Sequence, residues 1–371
     1  MSTHPPLADL ATRLERARLA ARATEIDALL VTPGPDLRYL VGYDAIPLER
    51  LTCLVVPAEG DVRIVVPGLE KPAALASPIG ELGIDVLTWG ETDDPFALVA
   101  SLLPERARVA LDNHMWAEKV LRLRAAMPSS DQMLAGTVLR ELRMRKSPEE
   151  VEALRRAGAA IDRVHARVPQ WLRAGRTERE VGRDIADAII AEGHVRVDFV
   201  IVASGPNGAS PHHELSDRVI EAGDPVVVDI GGTMPDGYCS DETRTYSVGE
   251  PPAEFAAYYA VLLEAQLAAC AHVRPGVTAE SIDAAARDVI AAAGYGDYFV
   301  HRTGHGIGLE SHEEPYIVSG SSEVIEPGMA FSIEPGIYLP GRHGARIEDI
   351  VVCGESEGER VNLRPRELEV L

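Results

Sequence analysis

The chain has 371 residues, more than one hydrophobic core usually organises, so two domains are expected. Its 58 acidic against 36 basic residues give a formal net charge of −22, which repels polyanions and anionic lipid surfaces and favours a small-molecule substrate over nucleic acid or membrane. Four scattered cysteines, Cys53, Cys239, Cys270 and Cys353, form no CxxC pair, so neither a disulfide framework nor a thiolate zinc site is expected.

The opening segment carries Leu7, Leu10, Leu14 and Ala17 at helical spacing and lacks the apolar stretch of a secretory signal. No later apolar run approaches the roughly 20 residues of a membrane span, so a cytoplasmic protein with reduced thiols is expected. IDALLVT, LTCLVVP and VRIVVP then read as strands rich in branched residues, punctuated by Gly, Pro and Asp. With RVALDN and the leucine-rich VLRELRMR they make a small α/β domain over residues 1–140.

A second domain, residues 147–371, opens on Ser147, Pro148 and Glu150, a capping box with proline at the first helical position. Val151, Leu154, Ala157, Ile161 and Val164 mark one face of that helix, and Thr177 with Glu180 caps a second. Two further helices are expected over PAEFAAYYAVLLEAQLAACA and TAESIDAAARDVIAAAG, the latter stopped at Gly294. Strands are expected at VDFVIVAS, DPVVVDIGG, SDETRTYSVG, MAFSIEPGIYL and EDIVVC. Such blocks describe an α+β sheet layered on helices, with a hint of two related halves.

Five potential ligands punctuate those strands: Asp229 in VVVDIGG, Asp241 in CSDETRT, His305 in RTGHGIGLE, Glu334 in SIEPGIY and Glu348 in ARIEDI. Taken singly, each reads more simply as a strand-end acid, a turn residue or a loop histidine. Taken together they are four carboxylates and one imidazole beside apolar runs, where burial would leave the carboxylates uncompensated without a cation. That set suits two hard divalent ions, manganese before cobalt, iron or zinc. The turn MPDG between the two aspartates would bring both carboxylates to one place. Glu334 is the candidate proton shuttle, and His212 in GASPHHE and His312 in LESHEEP are candidates to meet a substrate carbonyl. Competing motifs are weak: HEEPY is not HExxH, no GxSxG is present, and neither GHGIG nor DIGG has phosphate-loop spacing.

With VVVDIGG, SDETRT, RTGHGIGLESHEEP, IEPGIY and RIED in this order, the chain resembles the M24 metallopeptidases of the pita-bread fold. Within them it is most similar to the Xaa-Pro dipeptidases (prolidases) and Xaa-Pro aminopeptidases, whose catalytic part follows a separate creatinase/prolidase-like N-terminal domain. The resemblance is close from Ser147 onward and looser before it. It implies that Asp229 binds one metal, that His305 and Glu334 bind the other, and that Asp241 and Glu348 bridge them. His212 and His312 match substrate-side histidines, while Tyr338 and Arg346 match positions that line the site and support the bridging ligands. It also implies a homodimer acting on short proline-containing peptides. An aminopeptidase on longer peptides, a non-hydrolytic peptide- or partner-binding protein, and a metal enzyme on a non-peptide substrate remain the alternatives.

Overall fold

The structure, a computed structural model, describes residues 4–371. The chain divides into two compact units, one ending at Arg143 and the other spanning Met144–Leu371.

In the first unit the branched, apolar runs form strands, buried nearly throughout at the centre of their sheet and half-exposed at its two edges. The strands are β1 (Ala28–Val31), β2 (Cys53–Pro57), β3 (Arg63–Pro67), β4 (Asp85–Trp89), β5 (Arg108–Leu111) and β6 (Asp131–Leu134). They make one mixed sheet in the order β4-β3-β2-β1-β5-β6, antiparallel at β1–β2 and β2–β3 and parallel elsewhere. The opening helix Leu7–Ala23 lays Leu10, Leu14, Ala17 and Ala21 inward, as its spacing requires.

The second unit starts at the helix Pro148–His165, whose capping box is complete: the Ser147 side chain accepts from the Glu150 amide, and the Glu150 carboxylate accepts from the Ser147 amide. Thr177 and Glu180 cap the helix Glu178–Ala191 in the same reciprocal way. The two later helices run Ala253–His272 and Ala279–Ala292, and Gly294 follows the second at φ +86°, a left-handed conformation that stops it.

Three sheets carry the site. One holds β7 (Arg196–Ser204), β8 (Pro225–Thr233), β9 (Cys239–Ser247) and the two-residue β17 (Glu369–Val370), in the order β17-β9-β8-β7. A second holds β10 (Gly304–Gly306), β11 (Glu313–Ile317), β12 (Ala330–Ile333), β15 (Asp349–Cys353) and β16 (Gly358–Arg360), in the order β11-β10-β12-β15-β16. A third is the hairpin β13 (Gly336–Leu339) with β14 (His343–Arg346).

The run MAFSIEPGIYL, expected as one strand, is two. Pro335 has no N–H for a ladder, so the chain leaves β12 at Glu334 and re-enters a different sheet at β13. Aliphatic and aromatic side chains from the helices Ala253–His272 and Ala279–Ala292 pack with β12, β13 and β15 into one core. A second core lies between the helices Pro148–His165 and Glu178–Ala191 and the sheet of β7, β8 and β9.

Candidate functional site

The β8–β9 hairpin turns at Met234–Tyr238, where Gly237 sits at φ +93° and its N–H donates to the Met234 carbonyl. Its register pairs Asp229 with Thr243 and Gly231 with Asp241, so both aspartates share one face of the ladder, one diagonal step apart. Glu348 reaches the same place from the β14–β15 connection. Its amide donates to the Thr243 carbonyl at 3.1 Å and its Oε2 accepts from Thr243 Oγ1 at 2.7 Å.

His305, expected in a loop, lies on the short strand β10 between two glycines. A Cβ on Gly304 would overlap the Ser332 carbonyl oxygen, and one on Gly306 would overlap the Glu314 carbonyl. Only glycine permits that close approach, which carries His305 against β12. Gly304→Ala is expected to cost about 1–3 kcal/mol or more through forced backbone shifts. An unchanged urea midpoint would refute this.

The five residues converge. Donor atoms of Asp241, His305 and Glu348 all lie within 4.8 Å of one another, and these three residues are buried. His305 Nε2 stands 3.1 Å from Glu334 Oε1 and 3.8 Å from Asp241 Oδ2. Because the Gly306 carbonyl can only accept, Nδ1 of His305 carries the proton of their 3.2 Å hydrogen bond, which turns Nε2 toward the carboxylates. Ser332 Oγ donates to Glu334 Oε1 at 3.0 Å and accepts the His305 amide at 3.0 Å, locking strand and ligand together.

Arg346 braces the opposite side. One guanidinium nitrogen donates to Asp229 Oδ2 at 2.5 Å, another to the Tyr338 hydroxyl at 2.7 Å and the Pro211 carbonyl at 3.2 Å, and Nε to Thr243 Oγ1 at 3.1 Å. Two buried carboxylate oxygens, Asp229 Oδ1 and Glu348 Oε1, nevertheless have no hydrogen-bond partner. A buried orphan acceptor is costly unless something electropositive meets it.

The electrostatics tell the same story. Burial, and then the neighbouring Glu348, Asp229 and Glu334, push Asp241 well above the usual carboxylate range. Burial with Glu334 and Asp229 does the same to Glu348. Glu334 goes the other way: burial opposes it, but the His305 hydrogen bond and charge, with Arg346, pull it down to about 2. Too many negative groups share too small a space for all to ionise with only the Arg346 guanidinium and the His305 ring as counter-charges.

The histidines fall around this cluster. His312 lies with its ring centroid 3.8 Å from that of His305, and desolvation together with the His305 charge lowers it to about 4. His212 is exposed on the connection between β7 and β8. One further histidine, His301, escaped the sequence reading. Its Nδ1 donates to the Arg302 carbonyl at 2.7 Å, and its Nε2 accepts from the Tyr338 hydroxyl at 2.9 Å. Burial lowers its pKa and keeps the ring neutral, so donors run in one direction from Arg346 through Tyr338 to His301. Burial also pushes the Tyr338 hydroxyl up to about 12, so it keeps its proton in that chain.

Residues 152–355 match the metallopeptidase family M24, and residues 13–145 match the creatinase/prolidase N-terminal domain. The chain belongs to metallopeptidase family M24. It is 56% identical over 362 residues to a probable dipeptidase PepE of Mycobacterium tuberculosis, covering 97% of this chain and 96% of that one. The crystal structure of dipeptidase PepE from Mycobacterium ulcerans superposes with a TM-score of 0.96 at 55% identity, over 99% of both chains. An Xaa-Pro dipeptidase of Lactobacillus helveticus is 39% identical over 339 residues, 88% of this chain and 89% of the relative.

Proposed function

We propose that the protein is a two-metal Xaa-Pro dipeptidase that hydrolyses the bond before proline in short peptides. The observation that carries it is the buried convergence of Asp241, His305 and Glu348 with Asp229 and Glu334 around two orphan carboxylate oxygens. Asp229, Asp241, His305, Glu334 and Glu348 would hold the ions, and a nearly all-oxygen donor set favours manganese over softer metals. Such a pair, when bound, supplies a nucleophilic water at neutral pH and polarises the scissile carbonyl.

The side chains do the rest. The second carboxylate oxygen of Glu334 takes the proton of the attacking water and returns it to the proline nitrogen as that nitrogen leaves. His312, kept neutral on the face of His305, and His212 on its exposed loop donate to the substrate carbonyl and hold it in line. Tyr338 and Arg346 line the pocket and keep Asp229 aimed inward. Among the described residues no helix is long and apolar enough to cross a membrane. A homodimer working in the cytoplasm on diffusible peptides completes the proposal.

The test is purified protein loaded with manganese and offered Ala-Pro or Ala-Pro-Gly. Faster alanine release from the dipeptide than from the tripeptide is expected. Preference for the tripeptide would make it an aminopeptidase instead, and no cleavage with any divalent metal would defeat the hydrolase assignment.

A further inference from the structure

The connection from Ser204 at the end of β7 to Pro225 at the start of β8 contains one 3-10 turn, Gly205–Ala209, and otherwise no helix or strand. A long connection with so little regular structure is ordinarily mobile. His212 lies within it, and a group meant to meet a reacting carbonyl tolerates little wandering.

The residues on either side of His212 are both tied down. Before it, the Pro211 carbonyl accepts from Arg346 at 3.2 Å, the same guanidinium that holds Asp229. After it, His213 Nε2 meets Glu178 Oε2 at 2.8 Å. Glu178 is the first residue of the helix Glu178–Ala191 and is 0% exposed. Its Oε1 accepts from the Ser204 amide and hydroxyl, both at 2.7 Å, and from Asn207 Nδ2 at 3.0 Å. Its Oε2 accepts from Asn207 Nδ2 at 3.1 Å, from Ser216 Oγ at 2.5 Å and from His213.

One carboxylate therefore gathers the start of the loop at Ser204, its turn at Asn207, and His213 and Ser216 beyond His212. Burial opposes its ionisation, but the hydrogen bonds from Ser216, Ser204 and Asn207 outweigh that and hold its pKa below the ordinary value. The helix N-terminus adds its own attraction for the anion. No structural need of the helix itself calls for this arrangement, because Thr177 and Glu180 already cap it.

We infer that Glu178 is a positioning residue for hydrolysis, acting through His213 and Pro211's loop to hold His212 over the substrate. The assignment rests on the role given to His212 above. The hydrogen-bond partners of Glu178 are Ser204, Asn207, His213 and Ser216, none of them a proposed metal ligand, so it sets orientation while leaving the donor cluster untouched.

The experiment is a double-mutant cycle on the manganese-loaded enzyme with Ala-Pro, using Glu178→Gln, His212→Ala and the pair, with kcat and KM measured separately and manganese affinity followed by calorimetry. Glu178→Gln places an amide donor among donors and is expected to lower kcat/KM roughly 10- to 100-fold with manganese affinity unchanged. In the His212→Ala background it is expected to add nothing. If Glu178→Gln folds poorly, His213→Ala is expected to lower kcat/KM in the same direction, and His213→Gln, which keeps a donor amide, to recover part of it. Additive losses in the cycle, or no loss from both Glu178→Gln and His213→Ala, would overturn the positioning role alone. A fully active His212→Ala would overturn the role of His212 and the positioning role together.

Discussion

His305→Ala is expected to lower dipeptide hydrolysis by about two orders of magnitude or more and to leave the protein with less than its full complement of metal, since even residues that merely orient a ligand cost 10- to 100-fold. Metal content by elemental analysis, with the rate measured against free manganese, checks it; full occupancy with an unchanged rate would remove the cation cluster from the chemistry. Chelation of the wild-type protein has a second signature. Asp241 and Glu348, raised by burial and by their neighbours, keep protons in the folded, metal-free state that the unfolded chain would release. At these two sites the folded state then binds more protons than the unfolded one, so their contribution to metal-free stability falls as pH rises from the ordinary carboxylate range through the raised values. Loaded protein should escape that loss, and binding should expel protons. Melting temperatures of chelated and loaded samples at about pH 5 and about pH 8 make the comparison, with a widening gap at the higher pH as the expected result.

Asp349→Ala is expected to destabilise the fold by about 3–5 kcal/mol, the scale for removing one partner from a buried ion network. The side chain is 0% exposed. It accepts from Arg244 at 2.7 Å, Arg366 at 2.7 Å and Gln266 at 2.9 Å, and pairs with Arg360 at 3.1 Å. Burial opposes its ionisation, but the three guanidiniums keep its pKa below the usual value. Its loss would take from Arg366 the carboxylate it donates to and leave Arg244 with Glu242, at 3.1 Å, as its remaining carboxylate partner. Arg244 also donates to the carbonyls of Thr243 and Glu348, at 2.8 and 2.5 Å, so manganese affinity should weaken alongside stability. Urea unfolding and calorimetry on the same variant test both, and a loss under about 1 kcal/mol would show the network to be dispensable.

What could be read beforehand follows a physical division. The capping boxes at Ser147 and Thr177, the helix stop at Gly294 and the hairpin turn before Asp241 are local chemistry, written within a few residues, and all are present. The five potential ligands were recognisable because charged groups interrupting apolar strands need a reason to be there. Glu334 and Pro335 were misjudged as lying inside one strand, because hydrophobic patterning weighs side chains and Pro335 acts through a missing N–H. His301 went unseen for a different reason. Its partner Tyr338 is 37 positions away, and nothing beside it in YFVHRTG distinguishes a hydrogen-bonded ring from a surface one. Glu178 went unremarked beside the Thr177 cap, since its donors arrive from β7 and a loop up to 38 positions later.

The route by which Glu348 reaches Thr243, across 105 positions, has a consequence for how the protein acquires its ions. A chain holding only the β8–β9 hairpin would present Asp229 and Asp241 without the other three residues, and on the proposed two-metal reading so small a set would favour the more avid cations, copper and zinc ahead of manganese. The sheet of β10, β12 and β15 brings His305, Glu334 and Glu348 against that pair. On that reading, coordination geometry could decide which ion is retained only once all five residues are in place.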